Sequence, residues 1–351
     1  GMNLLKKYSA LNLLKSLDSL NFFKYGVEAL SLRLLYSLVP TLNQTYDIIH
    51  CQFGTQSYRG IWFRKINNPQ AYLVTTFRGE DISKYVHQEG ENVYNNLFKI
   101  GNFFLTNCDF FRKRIINLGC DPNLIYVLRS GLNCQQFEFK PRHLQVGEKI
   151  RIATTGRLVE KKGIEYSIRA VAKQAKQTPN LEYIIIGDGE LRESFEQLIN
   201  QLDVQQMIKL VGWKNETEIK EILDQSHIFI APSITAKDGN QDAPINVLKE
   251  AMAMGLPVIS TYHGGIPELV QEGVSGYLVP ERNVDALADK LSELIQHPER
   301  WNEMGKAGRT YVEKHYDLDP LNDTLVEIYQ QVIHSDKIVP NLNFNSATLL
   351  S

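Results

Sequence analysis

Cysteine is scarce: Cys51, Cys108, Cys120 and Cys134 are the only four in 351 residues, and no two have CxxC spacing. That pattern excludes a disulfide framework or a thiolate metal cluster and points to reduced, structural thiols. No apolar run approaches the ~20 residues needed to span a bilayer, and no signal peptide is evident at the start. The one glycine run after a strand, Gly187-Asp188-Gly189, lacks the full GxGxxG fingerprint, so a dinucleotide cofactor is not expected. Asp238, Asn240 and Asp242 have the spacing of a calcium loop. However, Ala243 and Lys249 stand where such a loop needs Gly and Glu, so no metal is expected there. Basic residues interleaved with aromatics are missing too, which argues against a nucleic-acid partner.

What remains is the composition of a globular α/β protein, 43% hydrophobic and 22% charged. The length suits two domains of ordinary size. Net charge is −2 but unevenly divided. Residues 1–140 carry 16 basic and 10 acidic side chains, about +6, which leaves about −8 for the rest. A basic first half suits an acidic acceptor or an anionic membrane surface; ordinary surface charge explains it equally well.

Taken in order, residues 2–39 read as two helices with leucine stripes. Strands are expected at 47–51, 71–77, 103–107 and 124–128, with helices at 54–64 and 109–118. A polar, Pro-containing stretch over 135–149 reads as a connection. Strands then recur at 150–154, 181–189, 208–213, 227–231, 258–261 and 276–279, with helices between and after them. Strand–helix alternation implies doubly wound parallel sheets. The expected division is a first Rossmann-like domain over 1–140, a linker over 141–149 and a second such domain over 150–315. A helix over 316–340 and a tail over 341–351 follow.

The stretch from Ile230 to Glu268 organises the rest. Pro244 suits the first turn of a helix, where a missing N–H costs nothing. The N–H groups of Ile245, Asn246 and Val247 would then face outward as a phosphate site. Asp242 and Glu250 flank this segment. Upstream, Gly156 allows a sharp turn after a strand, and Arg157 and Lys162 place two cations before the helix at 164–175. Fixed cations aimed at a departing diphosphate lower the barrier to its loss. Gly264 and Gly265 permit close backbone approach to a ligand. Arg78, after the second strand, can bind phosphate or a hydroxyl but cannot serve as a neutral base. Asp81 reads as a helix cap, and His50, within a strand, as a satisfied core residue.

Asp242, seven residues, Glu250 and then AMAMGLPVIS resembles the signature of retaining GT-B glycosyltransferases of the "group 1" type. The loop Phe77-Arg78-Gly79-Glu80-Asp81 is similar to that of the colanic acid and amylovoran enzymes within it. The resemblance implies a GT-B fold of two Rossmann-like domains facing a cleft, with the acceptor on the side of the first. It implies a nucleoside diphosphate sugar as donor, with no other cofactor and no metal, since a GT-A enzyme would need a DxD motif. Arg157 and Lys162 would bind the diphosphate, Glu250 the ribose and Asp242 the hydroxyls of the sugar. Trp213 would lie near the base, and the Gly264-Gly265 loop would face the donor. The implied acceptor is a saccharide, lipid-linked, and the implied setting is cytoplasmic, peripheral on the inner membrane face. The chain departs from the pattern in having Asp242 for Glu, Arg78 for His and Asn133 for Asp. It also opens with helices where the family has a strand and a Gly-rich turn. Those departures leave two alternatives: a non-catalytic nucleotide-sugar-binding protein, truncated or degenerate, and a nucleotide-sugar epimerase.

Overall fold

The computed structural model describes residues 44–334; the helices expected over 2–39 and the tail from 341 lie outside that range. The first sheet is built from β1 (Ile48–Cys51), β2 (Tyr72–Phe77), β3 (Phe103–Thr106) and β4 (Ile125–Val127), in that order. All neighbours are parallel, with Ile48 opposite Tyr72, Val74 opposite Phe103 and Phe104 opposite Ile125. Helices α1 (Ser57–Asn67), α2 (Lys84–Glu89), α3 (Asn95–Ile100) and α4 (Asp109–Asn117) form the crossovers.

A parallel sheet covered on both faces needs strands apolar on both sides, and every residue of β3 is buried. Phe104 packs on one face with Phe77, Phe111 and Ile115. Phe103 and Leu105 turn to the other, where they meet Val74 and Ile328 and Val332 of the last helix, α11 (Leu318–His334). The final helix therefore braces the first sheet.

Helix α1 starts later than the sequence suggests, because Gly54–Gln56 forms a short 3₁₀ turn first. The reason is Asp81. Rather than capping the following helix, its carboxylate accepts the N–H groups of Gly54 (2.7 Å), Arg78 (3.0 Å) and Gly79 (3.0 Å), pinning the loops after β1 and β2 together.

The second sheet comprises β5 (Ile150–Thr155), β6 (Leu181–Ile186), β7 (Ile208–Gly212), β8 (Ile228–Ala231), β9 (Val258–Thr261) and β10 (Gly276–Val279). Its order is β7-β6-β5-β8-β9-β10, parallel throughout. The chain winds outward from β5 in one direction and from β8 in the other. Such a sheet opens a crevice at the carboxyl ends of the two central strands. Helices α5 (Ile164–Ala175), α6 (Arg192–Gln201), α7 (Glu216–Asp224), α8 (Asn246–Ala253), α9 (Val284–Gln296) and α10 (Trp301–Tyr316) complete it. Local chemistry sets several of their ends. Asn215 and Glu218 make a reciprocal capping box on α7, and Asn283 caps α9.

The connection is more firmly held than its composition suggests. Arg142 is buried and donates to the carbonyls of Asp224 and Met254, at the carboxyl ends of α7 and α8. The two sheets are tied again where Leu132 exchanges backbone hydrogen bonds with Tyr316 and Leu318.

Candidate functional site at the switch point between β5 and β8

Beyond Thr155 the chain turns at Gly156, whose carbonyl oxygen would lie 1.9 Å from a Cβ at Gly187. With φ +135°, Gly187 is a position for glycine alone. Gly189 is packed as closely on Leu158. The glycines of the turn after β6 thus brace the β5 loop; neither lines the two cavities described below. Lys161 and Lys162 end a 3₁₀ turn, and Gly163 (φ +61°) starts α5 against the Pro232 carbonyl.

From β8 the chain loops to Asp242, where the two lysines converge. Lys162 Nζ lies 2.8 Å from one carboxylate oxygen of Asp242, and Lys161 Nζ lies 3.0 Å from the other. Ser233 Oγ donates to the same carboxylate at 2.9 Å. Burial alone would raise the Asp242 carboxyl, but Lys162 and Lys161 outweigh it and hold it at about 2. Burial also pulls Lys162 below the usual lysine range, against the attraction of Asp242. The asymmetry is physical: one carboxylate has two cations, whereas each cation has a share of one carboxylate.

The backbone at Asp242 is fixed from behind. Its N–H donates to His263 Nε2 (2.9 Å), so the His263 proton sits on Nδ1, facing Glu281 at 2.6 Å. Gly264 (φ +52°) would place a Cβ 2.0 Å from the Asp242 carbonyl. The Gly264-Gly265 turn therefore approaches the chain at Asp242 and Pro244 and lines neither of the two cavities described below. Glu281 also accepts the Thr235 N–H, so this small network orders both ends of the loop.

Helix α8 begins at Asn246 with Ile245 as its N-cap, two residues later than Pro244 suggested. Ile245 supplies no side-chain cap and the first turn holds no acid. The leading N–H groups, those of Asn246 and Val247 among them, have no intrahelical acceptor. A cavity of about 340 Å³ opens there, lined by Gly156, Lys162, Asp242, Ile245, Asn246 and Val247 from the second sheet's side. Arg78, Asn107 and Ser130 close it from the first.

A second cavity of about 310 Å³ adjoins it, sharing Arg78, Asn107, Ser130 and Asn246. His50 lines this one, but not as a base. Its Nε2 lies 2.6 Å from Thr76 Oγ1, and its Nδ1 meets the Tyr329 hydroxyl. Burial and then Arg78 lower its pKa to about 4.

The two halves are latched around these cavities. The Glu268 carboxylate accepts the N–H groups of Asp109 (2.9 Å) and Phe110 (2.8 Å), capping α4 from the opposite sheet's lobe. Lys84 pairs with Asp238, and Arg114 donates to Gln241.

Other expected site residues lie elsewhere. Arg157 is exposed and lines neither cavity, although its charge still acts on Lys162. Trp213 is 73% exposed at the surface. Glu250 lines neither cavity; burial raises its carboxyl, and Lys249, Glu216 and Lys220 set its field, which places it toward α7. The side chains of Asp238, Asn240 and Asp242 are taken up by lysines: Lys84 at the first, Lys161 at the second, and Lys161 and Lys162 at the third. Sequence reasoning passed over Lys161, Ser233 and Asn107. The Lys161-Lys162 tandem was the available signal for the first; the others carry none.

All four cysteines are free and buried. Among the described residues no helix is long and apolar enough to cross a membrane.

Comparison with known proteins agrees with this geometry. The family model for glycosyl transferases group 1 matches residues 135–311. The amylovoran biosynthesis glycosyltransferase AmsK of Erwinia amylovora is 34% identical over 320 residues, spanning 90% of this chain and 78% of that protein. The putative colanic acid biosynthesis glycosyltransferase WcaL of Salmonella typhimurium is 32% identical over 319 residues, with the same coverage. Among solved structures, Anabaena HepE in complex with UDP superposes with a TM-score of 0.70 at 20% identity, covering 81% of this chain and 79% of that one. The sucrose-phosphate synthase of Thermosynechococcus elongatus gives 0.68 at 18% identity, covering 82% and 74%. The fold is GT-B, and the chain belongs to the glycosyl transferases group 1 family.

Proposed function

We propose that this chain is a retaining, metal-independent hexosyltransferase. It would move a sugar from a nucleoside diphosphate donor to a hydroxyl of a lipid-linked saccharide during exopolysaccharide assembly, at the cytoplasmic face of the membrane. The carrying observation is the charge balance at the β5/β8 crevice. Two ammonium groups meet a single carboxylate there, and the N-terminus of α8 lines the same cavity, leaving a positive excess for a diphosphate. The names of the relatives support the pathway class, and HepE, of the same fold, was solved with UDP-glucose.

On this reading Lys162 turns from Asp242 to the diphosphate, joined by Arg157 from the rim and by the N–H groups of Asn246 and Val247. Asp242, freed in part, accepts hydroxyls of the donor sugar, and Glu250 holds the ribose. Burial and the Arg78 charge lower the His50 pKa to about 4, so it is a weak proton acceptor at neutral pH. The bond from the anomeric carbon to the leaving phosphate oxygen breaks as the acceptor oxygen bonds to that carbon on the same face. The acceptor's proton passes to the leaving phosphate oxygen. Cations fixed beforehand stabilise the charge that develops there.

The test is a panel of UDP-, GDP- and ADP-sugars with a saccharide acceptor, the product's anomeric configuration being read by NMR. Retention with one donor is expected. Inversion would overturn the mechanism, and donor binding with neither transfer nor hydrolysis would favour the non-catalytic binding protein.

A further inference from the structure

The second cavity has a charge that the donor does not need. Its lining includes two guanidinium groups, those of Arg78 and Arg129, and no acidic residue. Among the described residues neither arginine forms an ion pair. Arg78 donates to the neutral amide of Gln52. The Arg129 guanidinium lies 5.7 Å from the centre of the Tyr316 ring, and its Nε is buried with no hydrogen-bond partner. Two cations with no carboxylate to neutralise them, lining one cavity, suit an anionic ligand.

A second unmet group faces the same space. Asn107 is 7% exposed and lines both cavities; its amide nitrogen donates to the Arg78 carbonyl while its side-chain oxygen has no partner. Opposite these polar groups stand Leu318, Leu321 and Leu325 of α11. His50, hydrogen-bonded to two hydroxyls, adds no charge of its own, since burial and then Arg78 lower its pKa. The result is a half-apolar, half-cationic chamber adjoining the first cavity.

We infer that the second cavity binds an acceptor bearing an anionic group, a carboxylate or a phosphate, which Arg78 and Arg129 grip while Asn107 takes a hydroxyl. This deepens the transferase reading and rests on it for the word acceptor; the anion site itself does not. A guanidinium facing a carboxylate or phosphate forms paired, charge-assisted hydrogen bonds, and such geometry selects strongly against a neutral analogue.

The experiment is calorimetric titration of the full chain, saturated with UDP, against three probes: methyl glucuronoside, methyl glucoside and geranyl diphosphate. The first and third separate a sugar carboxylate from a lipid-linked phosphate. At least one anionic probe should bind about tenfold or more tighter than the glucoside, a difference of about 1.4 kcal/mol. Arg129→Gln should abolish that preference, and Arg129→Lys should restore part of it, with UDP affinity unchanged in both as the check on folding. Equal affinity for neutral and anionic probes, no binding of either anion to UDP-saturated protein, or a preference indifferent to Arg129→Gln overturns the inference. Arg129-dependent anion binding in a chain that fails to bind any nucleotide would uphold the site and sink the transferase reading instead.

Discussion

The ammonium of Lys162 and the carboxylate of Asp242 lie 2.8 Å apart at the carboxyl end of the second sheet. Asp242 depends on this arrangement for its ionisation. Its carboxyl sits at about 2, below the ordinary value of 3.8. A folded pKa depressed in this way contributes stability that is present above the unfolded value and is lost as pH falls through the folded one. Unfolding titrations should therefore show stability declining between about pH 4 and pH 2, on the order of 2 kcal/mol from this group. Asp242→Asn should flatten that part of the curve. An unchanged acid limb in the variant would mean that the carboxylate is not held by the lysines.

The Glu268 carboxylate caps α4 across the two halves. Hydrogen bonds to a charged group contribute about 1.5–3 kcal/mol each when buried, less at a half-exposed site. Glu268→Ala should lower stability by about 2 kcal/mol in urea unfolding. It should also raise amide exchange at Asp109 and Phe110 before the rest of α4. Exchange unchanged at those two amides would remove the latch from the account.

Two glycines with similar positive φ should behave very differently. Gly264 would drive a Cβ to 2.0 Å from the Asp242 carbonyl, whereas Gly273 (φ +72°) has nothing within 4 Å. Gly273→Ala should cost only the backbone term, about 1 kcal/mol. Gly264→Ala should displace the Asp242 loop and weaken donor binding as well as stability. Matching effects of the two substitutions on donor affinity would contradict the role given to the Gly264 turn.

Arg142 is 4% exposed and holds two helix ends through their carbonyls. Arg142→Met keeps much of the volume and removes the donors. A loss of about 3 kcal/mol is expected from thermal or urea unfolding, with donor affinity retained. A neutral effect would show that water replaces the guanidinium there.

Much of this was legible in the chain itself. The β-branched runs at Val258–Thr261 and Ile150–Thr155, and the helix Ile164–Ala175, stand out because a buried parallel strand and an amphipathic helix have different apolar periods. That Lys162, Asp242 and the start of α8 lie together was legible because the loops after β5 and β8 leave neighbouring strands; their role toward a diphosphate is the proposal. What stayed hidden depends on long-range packing. Asp81 has the sequence context of a helix cap, yet besides the N–H groups of its neighbours Arg78 and Gly79 it takes that of Gly54, distant in the chain. The paired glycines at Gly187, Gly189, Gly264 and Gly265 announce close approach but not to what; the partner proves to be the protein's own backbone for the first three and the Pro244 and Cys108 side chains for Gly265. Asn107 and Arg129 sit in segments with no local signal; only the meeting of the two sheets gives them a cavity.

The central claim is that Lys162 meets the donor's diphosphate, and donor binding by the Lys162→Ala variant tests it most directly. Wild-type protein at 100 times the donor's dissociation constant should gain about 2.7 kcal/mol of stability. In Lys162→Ala that gain should largely vanish at the same concentration, and turnover should fall about 100- to 1000-fold. Undiminished ligand stabilisation together with near-normal turnover in Lys162→Ala would place the diphosphate elsewhere and contradict the account.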